Sequence, residues 1–352
     1  MTDGFDKNAR VESIPDRRSL SDISCAVLGA GGFIGTNLSL ALEGRVKALR
    51  GLVRNRRTGS PVGALNGMEL YAGDFGDKDV VRKVIAGCDT VFHLIGSTTP
   101  ATSNRNMIAD VEDNVVKTIR LLDLCVEEGV DRIVFTSSGG TVYGIPETIP
   151  TPEGSPTDPI TSYGISKLAI EKYLALYRHH YDLDYRILRL SNPYGPHQIE
   201  RNEQGVVSAF LRRAMTGQPV EIWGDGSVAR DFIYIDDVVE ALILSAIHLG
   251  SSRTFNIGSG RALSITRLTS EIGRVLGCDI EHTHLDARPV DVARSALDVC
   301  LAKRELGWQP TTTLKDGLKM TAAWMERAVF RANRLRRSDP CLLGYQEQES
   351  EE

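Results

Sequence analysis

The sequence predicts an α/β fold, on two observations. From residue 22 onward, short β-branched runs alternate with longer stretches of helical period. The first of these runs also leads directly into a glycine-rich turn and a helical segment. Strands are expected at Ser24 to Leu28, Val46 to Val53, Met68 to Ala72, Thr90 to Leu94, Arg132 to Thr136 and Tyr185 to Leu190. Between the fourth and fifth lies one long helix, with Ile108, Val111, Val115, Ile119, Leu122 and Val126 three or four apart, closed by Gly129. A loop rich in Pro and Thr (Ile145 to Ile160) precedes a second helix from Tyr163 to about His180. After Asn192, Pro193, Gly195 and Pro196 break the alternation, and shorter mixed elements continue to about residue 330.

The remaining features exclude several function classes. In 352 residues, 41% are hydrophobic and 25% charged, enough for a sizeable core and an ordinary surface. The formal charge of -5 is concentrated at the end, where Glu347, Glu349, Glu351 and Glu352 fall together. The rest is near neutral, so no basic field exists to hold nucleic acid or an anionic membrane. Six scattered cysteines without a CxxC spacing imply reduced thiols rather than disulfides or zinc, and His282 and His284 lack a third ligand nearby, so no metal is expected. The first 21 residues carry no apolar signal region and no apolar run is long enough to span a bilayer, which makes a cytoplasmic protein the expectation.

The turn after the first strand reads Gly29-Ala30-Gly31-Gly32-Phe33-Ile34-Gly35. Small residues there let the backbone turn sharply and approach a pyrophosphate, while the following helix aims free N–H groups at the charge. A nicotinamide dinucleotide is the ligand this pattern implies, with Gly29, Gly32 and Gly35 as the triad. At the end of the second strand, where an acid would accept the ribose hydroxyls of NAD, stand Arg54, Asn55, Arg56 and Arg57. Those arginines suit a 2′-phosphate, so NAD and NADP both remain open, and Asp74 is placed to meet the adenine edge.

The helix after the Pro-rich loop opens Tyr163-Gly164-Ile165-Ser166-Lys167, putting phenol and ammonium one turn apart on one face. An ammonium ~4 Å from a phenolate at an effective dielectric of ~20 favours it by roughly 4 kcal/mol, about three pKa units. That would bring Tyr163 into the range of a working base. The stretch Phe135 to Gly144, rich in hydroxyls at Thr136, Ser137, Ser138 and Thr141, follows the fifth strand where the reactive end of a dinucleotide would lie.

These motifs, in this order, make the chain similar to the extended short-chain dehydrogenase/reductase family, and within it to nucleotide-sugar 4-epimerases of the UDP-galactose epimerase type. The likeness runs from Ser24 to Trp324. It also takes in Gly73-Asp74, His93-Leu94, Asn114 with Thr118, Asn192-Pro-Tyr-Gly, Trp223-Gly-Asp-Gly, Arg230-Asp231-Phe, Asn256-Ile-Gly-Ser-Gly, Arg288-Pro-Val-Asp291 and Leu306-Gly-Trp-Gln-Pro310. The resemblance implies a Rossmann-type doubly wound parallel sheet with a smaller mixed α/β substrate-binding domain. It assigns residues 22–192 plus about 228–258 to the dinucleotide domain and 193–227 plus 259–330 to the nucleotide-sugar domain. Residues 1–21 are then a polar extension and 331–352 a tail. The strands near Phe232 to Tyr234 and Thr254 to Ile257 are expected to return to the dinucleotide side.

For the reaction, the resemblance implies that Tyr163 takes the proton of the 4-hydroxyl, with Lys167 tuning it and holding the nicotinamide ribose. Phe33, Ile34, Phe75, Leu94, Ile95 and Asn114 would line the cofactor. Asn192, Arg230 and Arg288 would meet the diphosphate, Asp291 the nucleoside ribose and Trp223 the base; two arginine forks suit paired oxygens. A homodimer through the two long helices is implied as well. The chain departs from the pattern at Gly139, where the family's catalytic Ser or Thr falls, so that Ser138 or Thr141 must supply the hydroxyl. Ser295, four residues beyond Asp291, leaves room for a 2-acetamido group. Gly140 and Thr141 stand where a 4,6-dehydratase needs carboxylates. His197 falls where a GDP-fucose synthase keeps its acid, making an NADP-dependent keto-sugar epimerase/reductase the alternative. A dinucleotide-binding protein without catalysis is the remaining one.

Overall fold

The computed structural model describes residues 17–54, 66–198, 205–287 and 292–338, with side chains through 328. Its centre is a seven-stranded sheet built from β1 (Ser24–Leu28), β2 (Ala48–Val53), β3 (Glu69–Ala72), β4 (Thr90–His93), β5 (Arg132–Ser138), β6 (Asp184–Leu190) and β10 (Thr254–Ile257). The order is β10-β6-β5-β4-β1-β2-β3, and every pairing is parallel. Parallel strands need both faces covered, which is why β1 is buried along its whole length. One core cluster joins β1, β2 and β4 to α1 (Phe33–Leu42) and α8 (Ile235–Ile247); a second joins the sheet to α2 (Lys78–Ile85), α5 (Lys117–Glu127) and α6 (Ser162–Tyr181). The chain reverses its direction across the sheet between β1 and β4, leaving a crevice at their carboxyl ends, the place where such sheets bind ligands.

The smaller part lies beyond those ends. It holds a three-stranded sheet of order β11-β9-β7, from β7 (Asn192–Tyr194), β9 (Ala229–Tyr234) and β11 (Ala262–Ser264), and a parallel pair of β8 (Val220–Trp223) with β12 (His282–Leu285). Helices α7 (Val206–Met215) and α9 (Ile265–Leu276) accompany these strands, while α10 (Cys300–Leu306) packs back on β10 and α8.

Four expectations need correction. Phe232 to Tyr234 belong to β9 in the small sheet and do not return to the dinucleotide sheet, whereas Thr254 to Ile257 do, as β10. The single helix from Ile108 is three pieces: α4 (Met107–Asp110), a π-helical stretch at Val111–Val116, and α5. Residues 331–338, expected in a tail, continue α11 (Leu314–Ser338). At the other end, Arg17 in the supposed extension forms an antiparallel bridge with His248. Among the described residues no helix is long and apolar enough to cross a membrane.

Candidate active site

The glycine turn is built by close approach. Gly29, at φ +92°, and Ala30 both donate their amides to the carbonyl of Leu52 at 3.2 and 3.0 Å. A Cβ on Gly35 would lie 2.0 Å from the Gly29 carbonyl oxygen, so only glycine lets α1 start so near β1. The helix begins at Phe33, earlier than the glycine spacing alone indicates, and its N-cap Gly32 offers no side chain to its first amides. Those amides remain available to an anion, so the turn fits a pyrophosphate. Leu94 and Ile95 adjoin it: the Leu94 amide donates to Leu28 at 3.1 Å, and Ile95 packs against Gly29. At the adenosine end Arg54 is exposed. Asp74 accepts from the Gly76 amide at 2.7 Å and from Lys117 at 3.5 Å, which holds its carboxyl below the usual range. Phe75 stacks at 5.2 Å on His93. Arg56 and Arg57 lie outside the described residues.

Three residues, one just before it and two from the end of a distant helix, hold the first turn of α6. Thr161 accepts from the Gly164 amide at 3.2 Å, Asn104 from Ser162 at 2.9 Å, and Ser103, at the end of α3 (Pro100–Ser103), from the Tyr163 amide at 3.0 Å. Ser138, at the end of β5, is the hydroxyl that acts on the Tyr163 phenol, favouring its loss of a proton. Thr141 instead turns toward the Ser138 carbonyl, at 3.5 Å. A Cβ on Gly139 would come within 2.6 Å of Leu297, so the glycine at the family's hydroxyl position leaves room for that leucine.

The electrostatics differ from the expectation. Lys167 Nζ donates to the Thr136 carbonyl at 3.0 Å and lies 5.7 Å from the centre of the Tyr163 ring. It does not bring the phenol down: burial pushes Tyr163 up to about 12, the Ser138 hydrogen bond opposing and the charge of Asp110 reinforcing it. Burial pulls Lys167 down to about 8 against the opposing charges of Asp110 and Glu171. His93 is buried beneath, pushed down to about 3 by burial and then by Lys167, and so neutral, with Nε2 2.8 Å from Thr118 Oγ1. Asn114, inside the π-helical stretch, accepts from the Ser97 amide at 3.1 Å and donates to Ser97 Oγ at 3.0 Å. It thereby fixes the strand-end loop beside Lys167, where π-bulges commonly mark function.

On the other side of the crevice, Asn192 Nδ2 donates to the Asp231 carbonyl at 3.0 Å, and Arg230 Nη1 to the Val292 carbonyl at 2.5 Å. Ser295 is buried, its amide on the Ala229 carbonyl at 3.1 Å, and Trp223 is exposed at the end of β8. Arg288 and Asp291 lie outside the described residues. His197 has φ +66° and packs its ring 5.2 Å from Trp324; burial lowers its proton affinity. That contact gives no support to an acid role for it.

Three buried acids escaped the sequence reading as site residues. Asp231 accepts from Ser259 N and Oγ at 2.7 and 2.6 Å and from the Gly260 and Leu297 amides at 3.2 Å each. Glu171 pairs with Arg189 at 2.6 Å, and Asp110 faces the first turn of α6. Glu171 carried a signal, since it repeats the four-residue spacing of Tyr163 and Lys167 once more.

A strand order of 3-2-1-4-5-6 within the large sheet, a glycine turn at the first strand end, and a Tyr–Lys helix define a Rossmann-type α/β protein with a dinucleotide-binding turn. The profile of the NAD dependent epimerase/dehydratase family matches residues 25–258, and the chain belongs to that family. It is 35% identical over 307 residues to the UDP-glucose 4-epimerase of Mycolicibacterium smegmatis, covering 84% of this chain and 96% of that one. Among solved structures it is similar to the Thermotoga maritima UDP-glucose 4-epimerase with UDP-glucose, at 33% identity and a TM-score of 0.82, over 87% of this chain and 100% of that one. It is also similar to the UDP-N-acetylglucosamine 4-epimerase of Methanobrevibacter ruminantium M1 in complex with UDP-N-acetylmuramic acid. There the identity is 28% and the TM-score 0.81, over 87% and 99% of the two chains.

Proposed function

We propose that the protein is an NAD-dependent epimerase that inverts C4 of a UDP-sugar through a transient 4-keto intermediate. The observation that carries this reading is Tyr163 on one helix turn with Lys167, whose Nζ lies 5.7 Å from its ring centre and is held on the Thr136 carbonyl, at the crevice onto which the glycine turn opens and with Ser138 acting on the phenol. Tyr163 is the group that takes and returns the proton of the 4-hydroxyl, Ser138 rather than Thr141 the hydroxyl that steadies it. Lys167 supplies a positive charge and a donor for the nicotinamide ribose. Bound NAD would supply a reversible hydride acceptor for C4, and its positive ring would favour the phenolate that burial alone disfavours. Gly29, Gly32, Phe33, Ile34 and Gly35 would hold its pyrophosphate, Arg54, Asp74 and Phe75 its adenosine, and Leu94, Ile95 and Asn114 its nicotinamide side. Asn192, Trp223, Arg230, Arg288 and Asp291 would bind the nucleoside diphosphate. The buried, small Ser295 is compatible with a 2-acetamido group, so UDP-N-acetylhexosamines belong to the substrate range beside UDP-hexoses and UDP-uronic acids.

Denaturing the purified protein and identifying the released nucleotide, together with a panel of those three sugar classes assayed for C4 inversion, tests the reading. Bound NAD and inversion of at least one sugar without net NAD consumption are expected. Net consumption of exchangeable NADPH would replace it with the keto-sugar reductase, and inertness toward every sugar with the non-catalytic alternative.

The implied homodimer has support in a set of exposed apolar side chains. Met107, Ile108 and Val111 on α4 and the π-helical stretch, and Ile165 on α6, are uncovered, Ile108 at 74%. These segments pack on one another, and such a group is more than scattered surface apolarity. Ile108→Glu is expected to convert a dimer, measured by light scattering at twice the chain mass, to a monomer. An unchanged mass would place the interface elsewhere.

A further inference from the structure

Asp110 is fully buried, and four side-chain donors surround its carboxylate. Oδ2 accepts from Ser162 Oγ at 2.8 Å and Ser166 Oγ at 2.7 Å; Oδ1 accepts from Asn114 Nδ2 at 3.0 Å and from Thr98 Oγ1. Ser162 immediately precedes Tyr163, and Ser166 immediately precedes Lys167. Thr98 and Asn114 belong to the loop after β4 and to the π-helical stretch. The carboxylate therefore ties together the three segments that surround the Tyr–Lys pair, and every group bonded to it is neutral.

A carboxylate this close to two titrating groups in a desolvated pocket acts on both, raising the proton affinity of each. We propose that Asp110 is a positioning residue for proton transfer: it clamps the first turn of α6 and, through its charge, sets the pH window in which Tyr163 and Lys167 work together. The inference rests on Tyr163 being the base. The titratable groups facing the pair are few. Asp110 faces both Tyr163 and Lys167; Glu171, itself paired with Arg189, and neutral His93 face Lys167.

The sign follows directly. A negative charge raises the proton affinity of the phenol and of the amine alike, so removing it lowers both. The two limbs of the rate profile, set by the proton that Tyr163 must lose and the one that Lys167 must keep, should both move to lower pH. A single charge in such surroundings corresponds to roughly one pH unit. Asp110→Asn is the nearest replacement in shape, and Asp110→Ser, which leaves room for water among the same donors, is the second variant should the first not fold. Ser166→Ala keeps the charge and removes one hydrogen bond.

The measurement is kcat for C4 inversion from pH 6 to 10, with thermal melts to establish folding. Both limbs shifting downward in a folded Asp110 variant, with Ser166→Ala losing rate but keeping its limbs, is the expected result. Unmoved limbs in the Asp110 variants, or an equal shift in Ser166→Ala, would overturn the proposal. Tyr163→Phe run alongside separates the two readings, because full activity in that variant would remove the base assignment itself.

Discussion

Tyr163→Phe is expected to reduce C4 inversion by about 10²- to 10⁴-fold, the range over which a positioned general acid–base group contributes. The substitution deletes one oxygen and leaves the ring beside Lys167, whose ammonium lies 5.7 Å from its centre. Lys167 keeps its bond to the Thr136 carbonyl, and the glycine turn is untouched, so the protein should still release its full complement of dinucleotide on denaturation. The substitution should cost only about 1 kcal/mol of stability, since the hydroxyl vanishes together with its need for a partner. Inactivity with intact binding and a nearly unchanged melting temperature is thus the expected combination. Activity within tenfold of the parent would show that another group moves the proton. Ser138→Ala, which leaves the phenol in place, should lose less than Tyr163→Phe.

How much of this was legible in the sequence depended on the range of the interaction involved. All six expected strands of the dinucleotide sheet are present, with ends shifted by no more than two residues; those inside the sheet were legible because a strand buried on both faces needs a continuous apolar run, whereas β3 at the edge has no buried residue. The glycine turn and the Tyr–Lys spacing were visible for a related reason: each is a local geometric demand. Sheet membership was not visible. Phe232 to Tyr234 are buried as fully as any strand of the large sheet, and only the pairing of β9 with β7 and β11 places them in the small one.

The break in the long helix was hidden because a π-helical stretch displaces the backbone without disturbing an apolar spacing of three to four. Sign and burial of charge were least visible. The i, i+4 spacing puts Lys167 near Tyr163, yet the ammonium binds a carbonyl of β5 and desolvation from distant segments dominates the phenol. Asp110, in a helix whose neighbours Met107 and Ile108 are exposed, looks in sequence like a surface acid; the loop at Thr98 and the start of α6 bury it.

The largest stability effect is expected at the buried acid of α6, Glu171. Arg189 Nη2 and Nε bond Glu171 at 2.6 and 3.1 Å, with both side chains almost wholly excluded from water. Burial alone would lower the proton affinity of Arg189, but Glu171 beside it holds the guanidinium well above its ordinary value. From Arg189 the network continues to the Tyr143 hydroxyl at 2.9 Å, which donates to Asn256 Oδ1 at 2.7 Å. Asn256 Nδ2 in turn donates to the Thr151 carbonyl at 2.8 Å. Thr151 donates its amide to Ala296 and accepts from Asp298, flanking Leu297 above Gly139. One chain of hydrogen bonds thus runs from the helix of Tyr163, through β6 and β10, to the segment carrying Ser295.

Arg189→Met strands the Glu171 carboxylate in the interior and should cost roughly 3–5 kcal/mol, the penalty for breaking a buried pair from one side. Melting should fall by about 5 °C for a chain of this size. The pair itself contributes far less than that penalty, because both charges gave up water to form it. Glu171→Leu combined with Arg189→Met should therefore recover much of the loss, and a double-mutant cycle by denaturant titration measures the coupling. Additive losses would mean that the two residues act through Tyr143 and Ser137 separately, and the route from the catalytic helix to the Ser295 segment would then not pass through the ion pair.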